Sequence, residues 1–270
     1  MPELPEVEVI VRELSTELPG ETITGLEVNW QKTLILNGCA LPIRRTIRSL
    51  NRHGKFIIIN LDKGCLLIHL RMTGQLLIVK PNDPFSLDYL RVKFDLKSGK
   101  KLLFYDARKF GRIYVTCDGE NHLKHLGIDV LSNDFTVQNM VEVLSGKKIK
   151  IKSLLLNQSY FAGLGNIYCD ESLFKAGIHP NTPANIISKR KIADLYWAIK
   201  ETILLAIENM GTTISNYKTT GGGFGNNQYY LKVYGREDES CYNCGELIKK
   251  TRVNNRGTHF CPKCQHRKSR

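Results

Sequence analysis

The sequence predicts an α+β protein in which an N-terminal helix and an antiparallel β-sandwich precede a helical half and a small metal-binding hairpin. Three observations support this prediction. Residues 22–117 contain short runs rich in Ile, Val, Leu, Phe and Tyr, separated by Gly, Asp, Asn and Pro, as in antiparallel sheets. After about residue 130 the apolar residues recur with the longer period of helices. Two CxxC pairs near the C-terminus frame a hairpin pattern.

The first predicted element is an amphipathic helix that begins almost at residue 3. Leu4, Val7 and Val11 follow one another in steps of three and four, which places them on one helical face. Gly20 marks its end, because glycine is favoured just after a helix. The runs within residues 22–117, such as KFIIINL, CLLIHL and LRVKFDL, then predict an antiparallel sheet domain, either a sandwich or a flattened barrel.

The second half of the chain is predicted to be helical, as segments such as VQNMVEVLSG and KRKIADLYWAIKETILLAIENMG indicate. A polar junction at 118–134 is typical of a hinge, and we expect a cleft between the two halves to hold a long ligand. A glycine-rich stretch at 219–228 has no apolar period and is expected to be a mobile loop. The predicted domains are a sandwich domain at 1–130, a helical domain at 131–235 and a zinc hairpin at 236–270.

The charge of the chain favours a polyanionic partner. Lys and Arg number 39 against 26 Asp and Glu, which gives a net charge of +13. Residues 241–270 alone hold eight basic residues and one acidic residue. Nucleic acid is therefore favoured over an acidic membrane surface. No apolar run approaches the ~20 residues of a membrane span, and the N-terminus lacks the pattern of a signal peptide, so we expect a cytoplasmic protein with no membrane partner.

The eight cysteines fall into two groups with different expected roles. Four lie scattered in the sequence and are expected to be reduced, as is usual in the cytosol: Cys39, Cys65, Cys117 and Cys169. The other four form the two CxxC pairs, sixteen residues apart: Cys241, Cys244, Cys261 and Cys264. Four thiolates with this spacing close a tetrahedral site with no open position, so the sequence predicts one structural Zn²⁺ rather than disulfides.

Several longer strings carry a family resemblance. MPELPEVE, HGKF, HLRMTG, DARKFG, LLLNQSYFAGLGNIYCDESLFKAGIHP, VYGRE and RGTHFCPKC occur in this order along the chain. In this order they resemble the formamidopyrimidine-DNA glycosylase family, and the resemblance covers essentially the whole sequence. It implies that the helical domain contains a helix-two-turn-helix element and that the C-terminal hairpin is a zinc finger.

The resemblance also implies an activity. Members of this family are bifunctional DNA glycosylases and abasic-site lyases, so we expect this chain to remove oxidised purines such as 8-oxoguanine and formamidopyrimidines from damaged double-stranded DNA. We expect a monomer, because one chain already supplies both walls of the cleft. Two alternatives remain open at this point. One is a glycosylase for oxidised pyrimidines, and the other is a zinc-ribbon DNA-binding protein without catalysis.

Four residues are expected to be catalytic, and Pro2 is the first of them. Removal of the initiator Met would leave its secondary amine free, and an α-amino group titrates near ~7.7–8.0, so part of it is nucleophilic at neutral pH. The alternative is that Pro2 merely opens the helix. By resemblance, Glu3 is the adjacent acid and base, Lys55 and Arg256 contact the DNA backbone at the lesion, and Glu6 supports the pocket.

An enzyme that extracts a base must also fill the space that the base leaves. Met72, Arg108 and Phe110 offer an apolar chain, a cation and an aromatic ring, and this trio resembles that of the purine-specific branch. The loop at 219–228 is expected to cover the extruded base, and its glycine content departs from the family pattern. The residues implied to contact DNA phosphates are His69, Asn166 and Tyr234.

Overall fold

The computed structural model describes residues 1–266 of the chain. They form two compact units, of which the first comprises residues 1–124 and 206–228 and the second comprises residues 125–205 and those from 229 onward. The division into these units does not test the three predicted domains, which stay a prediction. Among the described residues no helix has both the length and the apolar character that crossing a membrane requires.

The first unit opens with helix α1, Leu4–Glu17. Its apolar face is buried, and Glu3 and Glu6 exchange backbone and side-chain hydrogen bonds in a capping box that fixes the start of the helix. Nine strands follow: β1 Ile23–Val28, β2 Leu34–Asn37, β3 Ile47–His53, β4 Phe56–Leu61, β5 Cys65–His69, β6 Gly74–Val79, β7 Leu90–Leu96, β8 Lys101–Asp106 and β9 Arg112–Thr116. A short helix, α2, spans Gly119–Leu123.

The nine strands form a sandwich of two sheets, as predicted. One sheet has four strands in the order β1-β7-β8-β6, and the other has five in the order β2-β9-β5-β4-β3. All neighbours pair antiparallel except β2 and β9. Buried side chains of α1 and of both sheets share one hydrophobic core. Strand β7 illustrates the pattern, because every second residue from Leu90 to Leu96 is buried.

One prediction about the cysteines is wrong. Cys39 and Cys117 form a disulfide, with 5.8 Å between their Cα atoms. The parallel pairing of β2 with β9 explains it, because it sets Asn37 opposite Thr116 and so brings the two following cysteines within bridging distance. Neither Cys65 nor Cys169 takes part in a disulfide, and both are buried, as expected.

The second unit contains the predicted helices. These are α3 Val137–Leu144, α4 Ile151–Leu156, α5 Asn166–Lys175 and α6 Lys189–Glu208, the last of which ends in the first unit. A two-stranded parallel pair joins β10, Ile128–Asp129, to β11, Phe161–Ala162. The C-terminal hairpin consists of β12, Lys249–Val253, and β13, Arg256–Phe260. Phe174 of α5 packs with buried residues of the cysteine-bearing segment.

Candidate functional site

The residues that follow Met1 are buried in the first unit, and the carboxylate of Glu6 holds their backbone. Pro2, Glu3 and Glu6 are buried, whereas Met1 is exposed. The backbone N–H of Glu3 donates to Glu6 Oε2 over 2.7 Å, and Glu6 Oε1 accepts from the N–H of Thr212 over 2.8 Å. Glu6 therefore connects the predicted nucleophile and its neighbouring acid to the segment that follows α6.

Lys55 and His69 lie close to each other in the five-stranded sheet, Lys55 just before β4 and His69 at the end of the neighbouring strand β5. Lys55 is buried in the turn between β3 and β4, and Phe56 beside it pairs with His69 of β5. Burial, with Arg71 and Lys55 nearby, lowers the pKa of His69 to about 3. Its Nδ1 accepts from the N–H of Arg71 over 3.0 Å. The imidazole is therefore neutral, and its proton is on Nε2, which can donate to a phosphate.

The three side chains predicted to fill the space left by the base lie on two turns of the sandwich. All three are exposed, Met72 in the turn after β5 and the other two in the turn after β8. The guanidinium carbon of Arg108 lies 4.7 Å from the centroid of the Phe110 ring. A cation stacked on an exposed aromatic ring presents one continuous surface to a ligand.

A buried carboxylate that the sequence analysis missed joins these two turns. Asp106, 1% exposed, accepts from the hydroxyl of Thr73 and from the backbone N–H of Arg108 and of Gly111, the latter over 2.7 Å. Its position just before a turn is the only sequence signal, since aspartate often accepts from the backbone two residues further on. Asp106 fixes both turns relative to each other.

A cavity of about 460 Å³ adjoins these turns within the first unit. Thr73, Gln75 and Tyr105 of the sandwich line one part of it, and Asn216 and Lys218 line another. Its size and its mixture of aromatic and polar groups suit a small heterocycle.

In the second unit, a pair of fully buried charges supports the tip of the hairpin. Lys152 Nζ lies 2.7 Å from Asp170 Oδ1, and both side chains have no exposed surface. The same ammonium donates to Gly257 O and Thr258 Oγ1, each over 2.9 Å. Asp170 Oδ2 accepts from the N–H of His259 over 2.9 Å. The sequence analysis missed both charges, because they occupy helices that it treated as apolar.

The hairpin presents Arg256 to solvent. Asn254 and Asn255 both adopt positive φ, 45° and 62°, as the two central residues of a tight hairpin turn require. Asn166 at the start of α5 donates from Nδ2 to Gly257 O over 2.9 Å. The predicted phosphate contacts Asn166 and Arg256 are therefore neighbours at one end of this unit.

Tyr234 owes its position to another buried carboxylate. Glu171 accepts from the consecutive backbone N–H groups of Lys232, Val233 and Tyr234 over 2.8, 2.9 and 2.8 Å. Burial raises the pKa of Glu171, although these three donors act against the rise. The Tyr234 ring also meets the ring of His259, with 5.1 Å between centroids. Tyr234 is thus held beside the hairpin.

The four cysteines of the CxxC pairs fit one zinc ion. Their sulfur atoms all lie within 4.8 Å of one another. Cys241 and Cys264 are 3.9 Å apart at Sγ, and Cys244 and Cys261 are 3.5 Å apart. A tetrahedral Zn²⁺ with Zn–S bonds of about 2.3 Å needs sulfur atoms about 3.8 Å apart. Cys241, Cys244, Cys261 and Cys264 therefore fit one structural zinc, which would fix the hairpin without an open coordination position.

Three models of known protein families match successive parts of the chain, in agreement with this arrangement. A family model for the formamidopyrimidine-DNA glycosylase N-terminal domain matches residues 1–113. A model for the H2TH domain of the same enzymes matches residues 126–218. A model for the zinc finger found in FPG and IleRS matches residues 238–267. Sandwich, helices and zinc hairpin together define a DNA glycosylase that carries an H2TH domain.

Individual relatives narrow this class to a family. A formamidopyrimidine-DNA glycosylase of Herpetosiphon aurantiacus is 42% identical over 98% of this chain and its own whole length. The crystal structure of a Lactococcus lactis FPG mutant with DNA containing Fapy-dG is similar, with a TM-score of 0.91 and 34% identity, covering 98% of this chain and all of that one. A MutM structure in complex with DNA containing carbocyclic 8-oxo-G has a TM-score of 0.89 at 34% identity, with coverage of 98% and 100%. The chain belongs to the formamidopyrimidine-DNA glycosylase family.

Family membership confirms the resemblance, the α+β fold and the single structural zinc predicted from the sequence. The chain is a DNA glycosylase and abasic-site lyase of base excision repair, and its partner is damaged DNA. A zinc-ribbon protein without catalysis is thereby excluded.

Proposed function

We propose that this chain excises oxidised purines, namely 8-oxoguanine and formamidopyrimidines, from duplex DNA through a covalent intermediate on Pro2. The observation that carries the proposal is the burial of Pro2 beside Glu3, with Glu6 holding the backbone between them. The Pro2 nitrogen is a secondary amine only once Met1 is removed, because until then it is part of the peptide bond to Met1. The Fapy-dG and 8-oxo-G ligands in the titles of the similar structures support oxidised purines as the substrate class.

The chemistry follows from these two residues. The Pro2 nitrogen attacks C1′ of the damaged nucleotide and the C1′–N bond breaks. The base leaves with the bonding electrons and gains one proton, and the Pro2 nitrogen loses one, so the two charges balance. Glu3 donates a proton to the ring oxygen O4′, which opens the sugar and leaves a cationic iminium between Pro2 and C1′. The iminium acts as an electron sink. Loss of a C2′ proton expels the 3′ phosphate, a second elimination expels the 5′ phosphate, and water then releases Pro2.

Five side chains that carry a positive charge or a hydrogen-bond donor would bind the phosphates of the DNA backbone during these steps. Lys55 and the neutral His69 belong to the first unit, and Asn166, Tyr234 and Arg256 belong to the second. Arg256 can bind a phosphate through two parallel N–H donors, which gives geometry as well as charge. Zinc bound by the four cysteines would make the hairpin that bears Arg256 rigid, and its four thiolate ligands would leave no coordination position open.

The base itself has to leave the helix. We assign Met72, Arg108 and Phe110 to the space that opens in the duplex, because an exposed apolar chain and a stacked cation–ring pair can replace the lost stacking. We assign the extruded base to the adjoining cavity beside Thr73. Because its partner is damaged DNA, we also infer that the protein acts in the cytoplasm, and in contact with the nucleoid if its source is bacterial.

The decisive experiment traps the intermediate. Incubation with an 8-oxoguanine duplex and borohydride should give a covalent complex, because the iminium is reducible, and Pro2→Gly should lose most of it. Pro19→Gly is the matched control, since Pro19 is exposed just beyond α1, and it should trap like the unaltered protein. The cleaved product should carry phosphate on both sides of a one-nucleotide gap. Full trapping by protein with a blocked N-terminus would refute the role of Pro2, and faster excision of an oxidised pyrimidine would refute the substrate class.

A further inference from the structure

Residues 211–225, which follow α6 in the first unit, form a loop whose two ends meet. We call residues 211–225 the glycine-rich loop; it contains most of the glycine-rich stretch predicted at 219–228. The N–H of Gly225 donates to Thr213 Oγ1 over 2.9 Å. A Cβ at Gly225 would overlap the carbonyl oxygen of Gly211, so only glycine allows this approach. These contacts join the two ends of the loop, and the other residues of the loop lie between them.

Helix α1 holds the glycine-rich loop at two points. Glu6 accepts from Thr212 at the start of the loop. Seven positions further along α1, Glu13 Oε2 accepts from both the N–H and the hydroxyl of Thr220, over 2.8 and 2.9 Å. Residues seven apart share one helical face, so both carboxylates face the loop. Thr220 is buried, and its carbonyl accepts from the N–H of Ile78 in β6 over 3.0 Å.

Beyond Thr220 the loop has a short projecting tip at residues 221–224. Thr219 donates its N–H to Gly223 O, and Gly222 donates its N–H to Thr219 O, each over 2.9 Å, which closes a tight turn. The tip ends in Phe224, whose surface is 62% exposed. Lys218 Nζ lies 5.9 Å from the centroid of this ring. An exposed ring next to a cation is a platform on which a nucleobase can stack.

We propose that Glu13 is a positioning residue for recognition of the damaged base: by holding Thr220 it sets the tip so that Phe224 stacks on the extruded base. The inference rests on the proposed function, since it requires a base outside the helix. The proposal predicts that two reactions of the same enzyme depend differently on the tip. Excision of a damaged base depends on the tip, whereas strand cleavage at a preformed abasic site offers no base to stack and does not depend on it.

The test compares single-turnover rates on two duplexes, one with 8-oxoguanine and one with an abasic site. Glu13→Ala removes both hydrogen bonds to Thr220, and we expect base excision to slow about tenfold, as the loss of hydrogen bonds to a charged group predicts. Abasic-site cleavage should change less than about twofold. Glu13→Gln keeps an acceptor oxygen and should recover most of the lost rate. Phe224→Ala should reproduce the selective loss of base excision.

Glu17→Ala is the matched control, because Glu17 lies on the same helix and bonds to Lys100 over 2.7 Å rather than to the loop. It should leave both rates unchanged. Equal slowing of both reactions by Glu13→Ala, unchanged base excision, or a Glu13→Gln variant as slow as Glu13→Ala would each overturn the proposal, as would an unaffected Phe224→Ala variant. Failure of the proposed function differs from all of these, because the unaltered protein would then not excise 8-oxoguanine.

Discussion

Replacing Lys152 by Met should destabilise the second unit severely. Its ammonium lies 2.7 Å from Asp170, both side chains are completely buried, and it also donates to Gly257 O and Thr258 Oγ1. Methionine fills similar volume but leaves the Asp170 carboxylate buried without its cation. Removing one partner of a buried ion pair costs about 3–5 kcal/mol, because the remaining charge cannot be solvated. For a protein of this size such a loss lowers Tm on the order of 10 °C.

Thermal and urea unfolding of the zinc-loaded protein would measure this loss. Lys175→Met is the matched control, because Lys175 pairs with Glu201 over 2.6 Å while both side chains are about half exposed, so its removal should matter little. The double variant Lys152→Met with Asp170→Leu should regain most of the stability, since an apolar pair can replace a buried ionic one. If Lys152→Met unfolded at the same temperature as the unaltered protein, the buried pair would not support the hairpin and the reasoning would fail.

Other predictions concern single groups. The pKa of His69 is about 3 in the folded protein against 6.5 in the unfolded chain. Its contribution to the free energy of unfolding is therefore complete above pH 6.5 and is lost as the pH falls toward 3. At pH 5 the free energy of unfolding of the unaltered protein should have fallen by about 2 kcal/mol, and a His69→Asn variant should not show this loss. This can be read from urea unfolding at several pH values. Arg256→Ala should weaken binding to abasic duplex with zinc still bound, and the slope of log affinity against log salt should become shallower by about one phosphate contact; an unchanged slope would remove Arg256 from the DNA contacts. Cys261→Ser should release zinc and give the same loss of affinity, as metal analysis beside the binding assay would show.

Regular elements with a strong local pattern could be predicted from the sequence. Helix α1 was expected to begin almost at residue 3, and it begins at Leu4 behind a capping box. The sandwich followed from runs such as Leu90–Leu96, whose alternating burial is local to one strand. The zinc site followed from spacing alone, because each CxxC pair brings two thiolates to one metal within a single turn.

Features that depend on contacts between distant segments could not be predicted in this way. Cys39 and Cys117 are separated by 78 positions, and only the parallel pairing of β2 with β9 brings them together. Lys152 and Asp170 interrupt apolar helical patterns, and periodicity counts such residues as exposed until a partner is known. The contact of Glu13 with Thr220 spans 207 positions, so the sequence could indicate a loop but not what holds it.

The buried charges also explain how exposed groups can be held ready for DNA. A side chain that must meet a ligand leaves its outer surface uncovered, so packing alone cannot fix its direction. A buried carboxylate or ammonium can, because it accepts or donates several hydrogen bonds at once and fixes the backbone that carries the exposed group. Asp106 does this for the turns that bear Met72 and Arg108, and Lys152 does it for the segment next to Arg256. Substitutions at such buried groups should therefore impair DNA recognition although the groups themselves are buried.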